Sequence, residues 1–196
     1  MFYLFHKGLS KELLVETAKE LIEERGIDAF SMRTLAEALD VKTASLYAHI
    51  ESMDALFTEV GLSTLNDQKS AQLAAVQDMD RDAAIFALAE SYRAFAKDHA
   101  QLYQFIMQMP LGRDETLRAA AAMTAQPAMQ VLSSYAISDE QCMHWQRVLR
   151  CVMHGFTSQE AFGYFSHYPV DTEDSYHVAI QCIIDGLHKE EALNGR

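Results

Sequence analysis

The chain has 196 residues, 49% of them hydrophobic and 22% charged, a composition that can bury one good core with a small additional domain. Its 28 Asp and Glu outnumber 16 Lys and Arg, and the net charge of -12 is opposite to the basic surface of many nucleic-acid binders. No apolar run approaches the about 20 residues that cross a bilayer, and MFYLF at residues 1–5 is too short for a signal sequence, so we expect no membrane partner.

The first predicted helix begins after Ser10 and ends at Gly26. Serine is a favourable N-cap, and glycine readily adopts the positive φ of a helix C-cap. Apolar residues fall on one face between these caps, namely Leu13, Leu14, Ala18, Leu21 and Ile22. The spacing indicates an amphipathic helix that supports the segment after it.

Residues 31–50, SMRTLAEALDVKTASLYAHI, have the pattern of two short helices joined by a tight turn. Ser31 is an N-cap for the first helix, in which Leu35 and Leu39 lie on one face. Asp40 interrupts the pattern, because aspartate tolerates turn geometry and competes with helical hydrogen bonds. A helix-turn-helix is therefore predicted.

The second short helix begins near Thr43 and directs Leu46 and Ile50 toward the core. Small residues occupy its opposite arc: Ala44, Ser45 and Ala48. A helix that enters the major groove of DNA needs short side chains, which let its backbone approach the base edges. This arc therefore suits DNA better than solvent.

The run VKTASLYAHI, followed by SMDALF, resembles the DNA-binding domain of the TetR-type regulators over roughly residues 10–60. The resemblance implies that the partner is a double-stranded DNA operator. It also implies base contacts from Arg33, Thr43, Ala44 and Ser45, and phosphate contacts from Lys42, Tyr47 and His49. Arg33 would bind guanine through its planar guanidinium group.

Simpler roles stay open for these side chains. Arg33 can be an ordinary solvated arginine, and His49 an ordinary surface residue. Tyr47 can pack on the preceding helix, while Thr43 and Ser45 can cap helix ends.

Two positions depart from the family pattern. Asp40 stands where the turn usually carries glycine, a change that the left-handed backbone tolerates at modest cost. Met53 stands where a lysine is common, and Glu51 adds negative charge nearby. We therefore expect a weak grip on phosphate and a shallow salt dependence of DNA binding.

The rest of the chain is predicted to be helical, because no segment shows convincing strand alternation. Further helices cover Ser52 to near residue 70, 80–98, 100–108, 114–135 with a kink or interruption at Pro127, Ser138 to near Tyr164, and the residues after Thr172. We predict an all-α fold of about nine helices. A DNA-binding domain would occupy residues 1–66, and a ligand-binding and dimerisation domain residues 67–196.

The segment MHGFTSQEAFGYF at residues 153–165 is similar to a segment around a His-Gly pair in one group of TetR-like C-terminal domains. This resemblance implies that the last two long helices pack against their copies in a homodimer. The predicted interface residues are Phe162, Ile180, Ile183, Ile184 and Leu187. Burial within a single chain is the alternative for each of them.

The central helices are rich in aromatic and methionine side chains, which suit an adaptable ligand cavity. The predicted contacts to a small-molecule effector are Tyr92, Phe95, Tyr103, Met107, Met123, Trp145, Arg147 and His154. Arg147, Arg150 and His154 can orient a polar or anionic ligand group. Core packing explains the apolar residues equally well, and both arginines can simply face solvent.

Motifs for catalysis and for metal binding are missing from the sequence. It contains no HExxH, no GxSxG and no phosphate-binding glycine loop, so we expect no catalytic residues, no metal and no cofactor. Cys142, Cys151 and Cys182 lack CxxC spacing and leave one thiol unpaired in any disulfide scheme. This favours a reducing cytoplasm, and buried cysteines are more common than thiol sensors.

These features together predict a ligand-responsive transcriptional regulator. As a homodimer it would present two recognition helices about 34 Å apart to a near-palindromic operator, and a small molecule would release it. The alternative is a helical ligand- or protein-binding module that has lost DNA binding. Glu51, Met53 and the excess of acidic residues in 1–50 favour that alternative.

Overall fold

A computed structural model describes residues 8–110, 114–167 and 169–195. All regular secondary structure in these ranges is α-helix or 3₁₀-helix, and the ranges contain no strand. This confirms the predicted all-α class. The helices are α1 Lys11–Arg25, α2 Met32–Ala38, α3 Thr43–Leu46, α4 Met53–Ala75, α5 Arg81–Asp98, α6 Ala100–Gln108, α7 Glu115–Met123, α8 Gln126–Leu132, α9 Asp139–Ala161 and α10 Thr172–Asn194. Pro127 lies in the first turn of α8, so the helix expected over 114–135 is two separate helices.

Helix starts follow the predicted N-caps. The Ser10 hydroxyl accepts a hydrogen bond from the N–H of Leu13 at 3.3 Å, and α1 begins after it. The Ser138 hydroxyl and the Gln141 side chain form the predicted capping box of α9. Each cap satisfies an N–H group that has no partner inside its own helix.

The chain packs as two compact units. The first contains the residues through Leu65 together with His99–Arg118, and the second contains Asn66–Asp98 and the residues from Ala119 onward. The boundary between the units falls inside α4, which is one continuous helix. The predicted domains, residues 1–66 and 67–196, stay a prediction. The two units interleave along the chain, because the first unit also includes His99–Arg118.

In the first unit, α1 packs against α2 and α6. Leu14 and Ile22 of α1 are fully buried there. The Glu23 carboxylate accepts hydrogen bonds from the N–H groups of Gln101 and Leu102, each at 3.2 Å. These bonds satisfy free N–H groups in the first turn of α6 and place a negative charge at its positive end.

In the second unit, α5 contacts α8, α9 and α10, and α9 contacts both α8 and α10. Ile85 of α5, Leu149 of α9 and Ile180 of α10 are fully buried in the shared core. The Tyr176 hydroxyl donates a hydrogen bond to the carbonyl of Ala89 at 2.8 Å. The polar end of this buried aromatic side chain is therefore satisfied.

Of the three cysteines, Cys142 alone is buried, with Cys151 and Cys182 exposed on α9 and α10. Burial raises the pKa of the Cys142 thiol, which keeps it in the unreactive protonated form. The expectation of buried cysteines is thus confirmed at Cys142 and wrong at Cys151 and Cys182. Among the described residues, the helices are all too short or too polar to cross a bilayer.

A buried arginine joins three helices of the second unit. Arg93 of α5 donates to both carboxylate oxygens of Glu160 at 2.9 and 2.7 Å, and to Glu173 of α10 at 2.5 Å. Its guanidinium carbon also lies 4.9 Å from the centre of the Tyr176 ring. Hydrogen bonding to Arg93 lowers the pKa of Glu160 to about 2. The end of α9 and the start of α10 are thereby held to α5.

We predict that Glu160→Gln lowers the free energy of unfolding at pH 7 by about 1–3 kcal/mol, because it removes one charge-assisted pair from the buried Arg93. The pKa of Glu160 is lowered by folding, so its contribution is present above pH 4.5 and is lost as pH falls toward about 2. Urea unfolding of both proteins from neutral to acid pH measures this. The two stabilities should converge in acid.

The control is Glu115→Gln, which removes an exposed carboxylate paired with Arg118 on the same helix. This variant should change stability by less than about 0.5 kcal/mol. An equal effect of both substitutions at pH 7 would contradict the structural role given to Glu160.

Candidate functional site

Helices α2 and α3 and the turn between them form a helix-turn-helix. The Ser31 hydroxyl accepts from the N–H of Thr34, and the Thr34 hydroxyl accepts from the N–H of Ser31, which fixes the start of α2. Asp40 has a φ of 52°, so it adopts the left-handed backbone that the sequence predicted for the turn. The N–H of Val41 then returns a hydrogen bond to the carbonyl of Ala36 at 3.0 Å.

Helix α3 has one buried and one exposed side. Leu46 is 0% exposed, and Ile50 in the following turn is also buried. The exposed arc consists of Ala44, Ser45, Tyr47 and Ala48, while Thr43 and His49 are half-buried. The predicted outward arc is confirmed as a surface, and its contacts with DNA stay a prediction.

Two basic side chains are exposed on the helix-turn-helix. Arg33 projects from the first turn of α2, 84% exposed, and its Nε donates to Glu37 Oε1 at 2.8 Å. This hydrogen bond raises the pKa of Arg33 and keeps the guanidinium charged. Lys42 is exposed at the N-cap position of α3. Glu37, Asp40 and Glu51 are also exposed, so these two basic side chains are outnumbered by three acidic ones.

The second unit contains a small cavity of about 20 Å³ between α4, α5, α8 and α9, with polar and apolar side chains in its lining. We call it the polar cavity for its amide and guanidinium groups. It is lined by Gln68, Gln72, Tyr92, Gln146, Arg150 and Met153, among others. Arg150 also donates a hydrogen bond from Nη1 to the Thr124 hydroxyl at 3.1 Å. The amide and guanidinium groups make this cavity able to bind a polar ligand group.

The structure does not bring the eight predicted ligand residues together. Tyr92 lines the polar cavity, and Phe95 is buried elsewhere in the second unit. Tyr103 and Met107 belong to the first unit. Met123 is exposed on α7.

The three predicted ligand residues on α9 face different surroundings. The Trp145 ring lies against Gly186 of α10, so closely that a Cβ at position 186 would overlap it. Arg147 is exposed. His154 is half-buried, and burial, followed by the charge of Arg150, lowers its pKa.

Sequence reasoning missed the amide side chains of the cavity. Polar residues are normally assigned to the solvent face of a helix, yet Thr64, Gln68 and Gln72 are at most 3% exposed. Their spacing of four residues places them on one face of α4. That polar stripe at helical spacing is the signal that could have revealed them.

The predicted dimer residues of α10 need correction. Ile180, Ile183, Ile184 and Leu187 are at most 4% exposed within a single chain, so they have no surface left to bury against a partner. They form the intramolecular core, which was the alternative for these positions. Phe162 differs, because it follows the end of α9 and is 66% exposed.

Helices α9 and α10 nevertheless have an exposed apolar side. The helices are antiparallel: Trp145 near the start of α9 contacts Gly186, and Glu160 near its end accepts a hydrogen bond from Thr172. The exposed side chains include Val148 and Cys151, three residues apart on α9, and Val178 and Cys182, four residues apart on α10, so each pair lies on one side of its own helix. We call this set the outer α9–α10 face.

One group of side chains in the described residues has donors suitable for a cation. Glu90 of α5 and Glu173 and His177 of α10 place their ligand atoms within 4.8 Å of one another. One imidazole and two carboxylates form a donor set that Zn²⁺ accepts. Glu173 also holds the guanidinium of Arg93, and this positive charge opposes a second cation.

Comparison with known protein families gives one match in the N-terminal part of the sequence and one in the C-terminal part. Residues 14–60 match the family described as bacterial regulatory proteins, tetR family. Residues 85–183 match the family described as tetracyclin repressor-like, C-terminal domain. An uncharacterized HTH-type transcriptional regulator of Mycobacterium tuberculosis is 29% identical over 188 residues, which cover 95% of this chain and 85% of the relative.

Solved structures share the fold. A protein with unknown function from Rhodococcus sp. RHA1 has a TM-score of 0.80 at 21% identity, covering 94% of this chain and 98% of the other. A TetR variant from Acinetobacter baumannii AYE in complex with minocycline has a TM-score of 0.67 at 19% identity, covering 93% and 98%. The latter structure contains a small molecule bound to a protein of this architecture.

Proposed function

The chain is a member of the TetR family of bacterial regulatory proteins, and from that premise we propose that it represses transcription at a near-palindromic operator until a small molecule releases it. The observation that carries this proposal is the exposed arc of α3, where Ala44 and Ser45 present small side chains above the buried Leu46. Such an arc lets a helix backbone approach base edges in the major groove. We propose a cytoplasmic regulator without catalytic activity.

Base recognition is proposed for Arg33, Thr43, Ala44 and Ser45. Arg33 is held by Glu37 on its own helix, but an exposed pair of this kind adds little stability and exchanges readily. The guanidinium can therefore leave Glu37 and donate two hydrogen bonds to guanine O6 and N7. The methyl group of Ala44 can pack on a thymine methyl group.

Phosphate contacts are proposed for Lys42, Tyr47 and His49. Lys42 carries the fixed positive charge, and the exposed Tyr47 offers a hydroxyl donor. The acidic Glu37, Asp40 and Glu51 lie close by in the sequence and reduce the attraction to phosphate. Affinity would then depend on a few contacts, repeated in a dimer.

Replacement of Arg33 tests base recognition. We predict that Arg33→Ala weakens binding to a duplex selected from a random library by the wild-type protein, by about ten- to hundred-fold. Fluorescence anisotropy measures the affinity, and circular dichroism checks the fold. Arg118→Ala is the matched control, because Arg118 is also exposed and also pairs with an acid on its own helix.

Arg118→Ala should bind as the wild type does. If neither variant changes the affinity, Arg33 does not read a base. If the wild-type protein selects no duplex at all, the alternative of a helical ligand- or protein-binding module replaces the regulator.

The salt dependence of binding tests the phosphate contacts. We predict that Lys42→Ala lowers the slope of log affinity against log salt by about one ion per monomer, because one phosphate loses its cationic partner. The wild-type slope should stay below about six ions per monomer. Lys189→Ala, at an exposed position of α10, should leave the slope unchanged. A steeper wild-type slope would contradict the proposed small set of phosphate contacts.

A homodimer is proposed through the outer α9–α10 face. Its exposed apolar side chains, Val148 at 45% and Val178 at 64% exposure, come from two antiparallel helices. Two such pairs can form a symmetric four-helix interface, in which the same patch is used on both subunits. Phe162 stays a proposed interface residue, whereas the buried isoleucines support the face from within.

Introduction of a charge into this face tests the dimer. We predict that Val178→Glu converts the dimer to a monomer of about 22.1 kDa, because two carboxylates would be buried at the symmetric interface. Light scattering after gel filtration measures the mass. Val170→Glu is the control, because Val170 is equally exposed but lies outside both helices, and it should remain dimeric. If both variants remain dimeric, the outer α9–α10 face is not the dimer interface.

Effector binding is proposed at the polar cavity of the second unit. Its lining includes Gln68 and Gln72 of α4, and the same continuous helix contributes its first residues to the first unit. A ligand that binds better when these helices are displaced would shift the population toward a form with low operator affinity. By linkage, operator DNA would weaken ligand binding by the same factor.

A further inference from the structure

The polar cavity is lined by one positively charged side chain and several neutral polar ones. Among its lining residues, Arg150 is the one charged side chain, and Gln68, Gln72 and Gln146 supply amide groups. None of the lining residues in the described part of the chain is acidic. The cavity therefore offers hydrogen-bond donors around a single positive charge.

Arg150 lacks the acidic partners that the buried Arg93 has. Arg93 is enclosed by the carboxylates of Glu160 and Glu173. Arg150 instead donates to the hydroxyl of Thr124, and no carboxylate of the described residues forms an ion pair with it. A half-buried guanidinium bonded to a neutral hydroxyl keeps most of its donors for another acceptor.

A second donor in the cavity is unsatisfied. Gln68 is 3% exposed, and its Nε2 atom is buried without a hydrogen-bond partner. Buried polar groups are nearly always paired, so this donor is available to an acceptor placed in the cavity. Arg150 and Gln68 come from different helices and line the same space.

We propose that the effector carries a carboxylate, with one oxygen accepting from Arg150 and the other from Gln68; this rests on the proposed function. A carboxylate matches the single positive charge, whereas a phosphate carries about -1.5 to -2 at neutral pH and would need a second cation. Leu88 and Met153 supply apolar contacts for the body of the molecule. The effector is thus a small monocarboxylic acid.

The size of the cavity links this binding to a structural change. A volume of about 20 Å³ accommodates about one water-sized group. The apolar body of an acid therefore requires displacement of the helices that line the cavity, including α4. Carboxylate binding thereby acts on the helix that both units share.

The test compares acids with their neutral amides on the full chain. Benzoate and hexanoate should raise the melting temperature and give binding by calorimetry, whereas benzamide and hexanamide should bind at least about ten-fold more weakly. Arg150→Gln should remove the preference for the acid, and Arg150→Lys should retain part of it. Gln68→Leu should weaken binding of the acids. Arg147→Gln, an exposed arginine one turn away on α9, is the matched control and should bind as the wild type does.

Several results would overturn the proposal: no binding of either acid, equal binding of acids and amides, or wild-type affinity in Arg150→Gln. A crystal structure with only a water molecule on Gln68 after soaking with benzoate would do the same. Operator binding by the Arg150→Gln variant is measured in the absence of ligand, which tests the proposed function separately from the carboxylate site. If that variant and the wild type bind the operator and neither binds an acid, only the carboxylate site fails.

Discussion

The position of α3 depends on the burial of Leu46 and Ile50 beneath it. A helix of four residues cannot persist on its own hydrogen bonds, because isolated helices shorter than about 12 residues are marginal in water. Hydrophobic burial supplies the missing stability and fixes which side faces outward. The exposure of Ala44 and Ser45, on which DNA binding is proposed to rest, is therefore set by two side chains on the opposite side.

The second unit places two arginines in contrasting surroundings. Arg93 is bound by Glu160 and Glu173, so its charge is compensated and its contribution is to hold three helices together. Arg150 has a hydroxyl for a partner and lines a cavity beside the unsatisfied Gln68. The same residue type is structural where acids surround it, and we propose that it binds a ligand where they do not.

Local features of the fold were predictable from sequence, and contacts between distant segments were not. N-caps such as Ser31 and Ser138 depend on residues three positions away, and the structure confirms them. Periodicity identified the apolar face of α10 at Ile180 and Ile184, but it cannot tell whether the same chain or a partner covers that face. The cavity at Gln68 depends on several helices meeting, which no single segment of sequence encodes.

The close approach of α9 and α10 at Gly186 has a spectroscopic consequence. Trp145 is the chain's single tryptophan, and it directly precedes the cavity-lining Gln146 on α9. Its indole ring contacts α10 at Gly186. Indole emission responds to the polarity of its surroundings, and its amphipathic ring is sensitive to hydration. The protein thus contains an intrinsic optical probe of the packing between these helices, which requires no label.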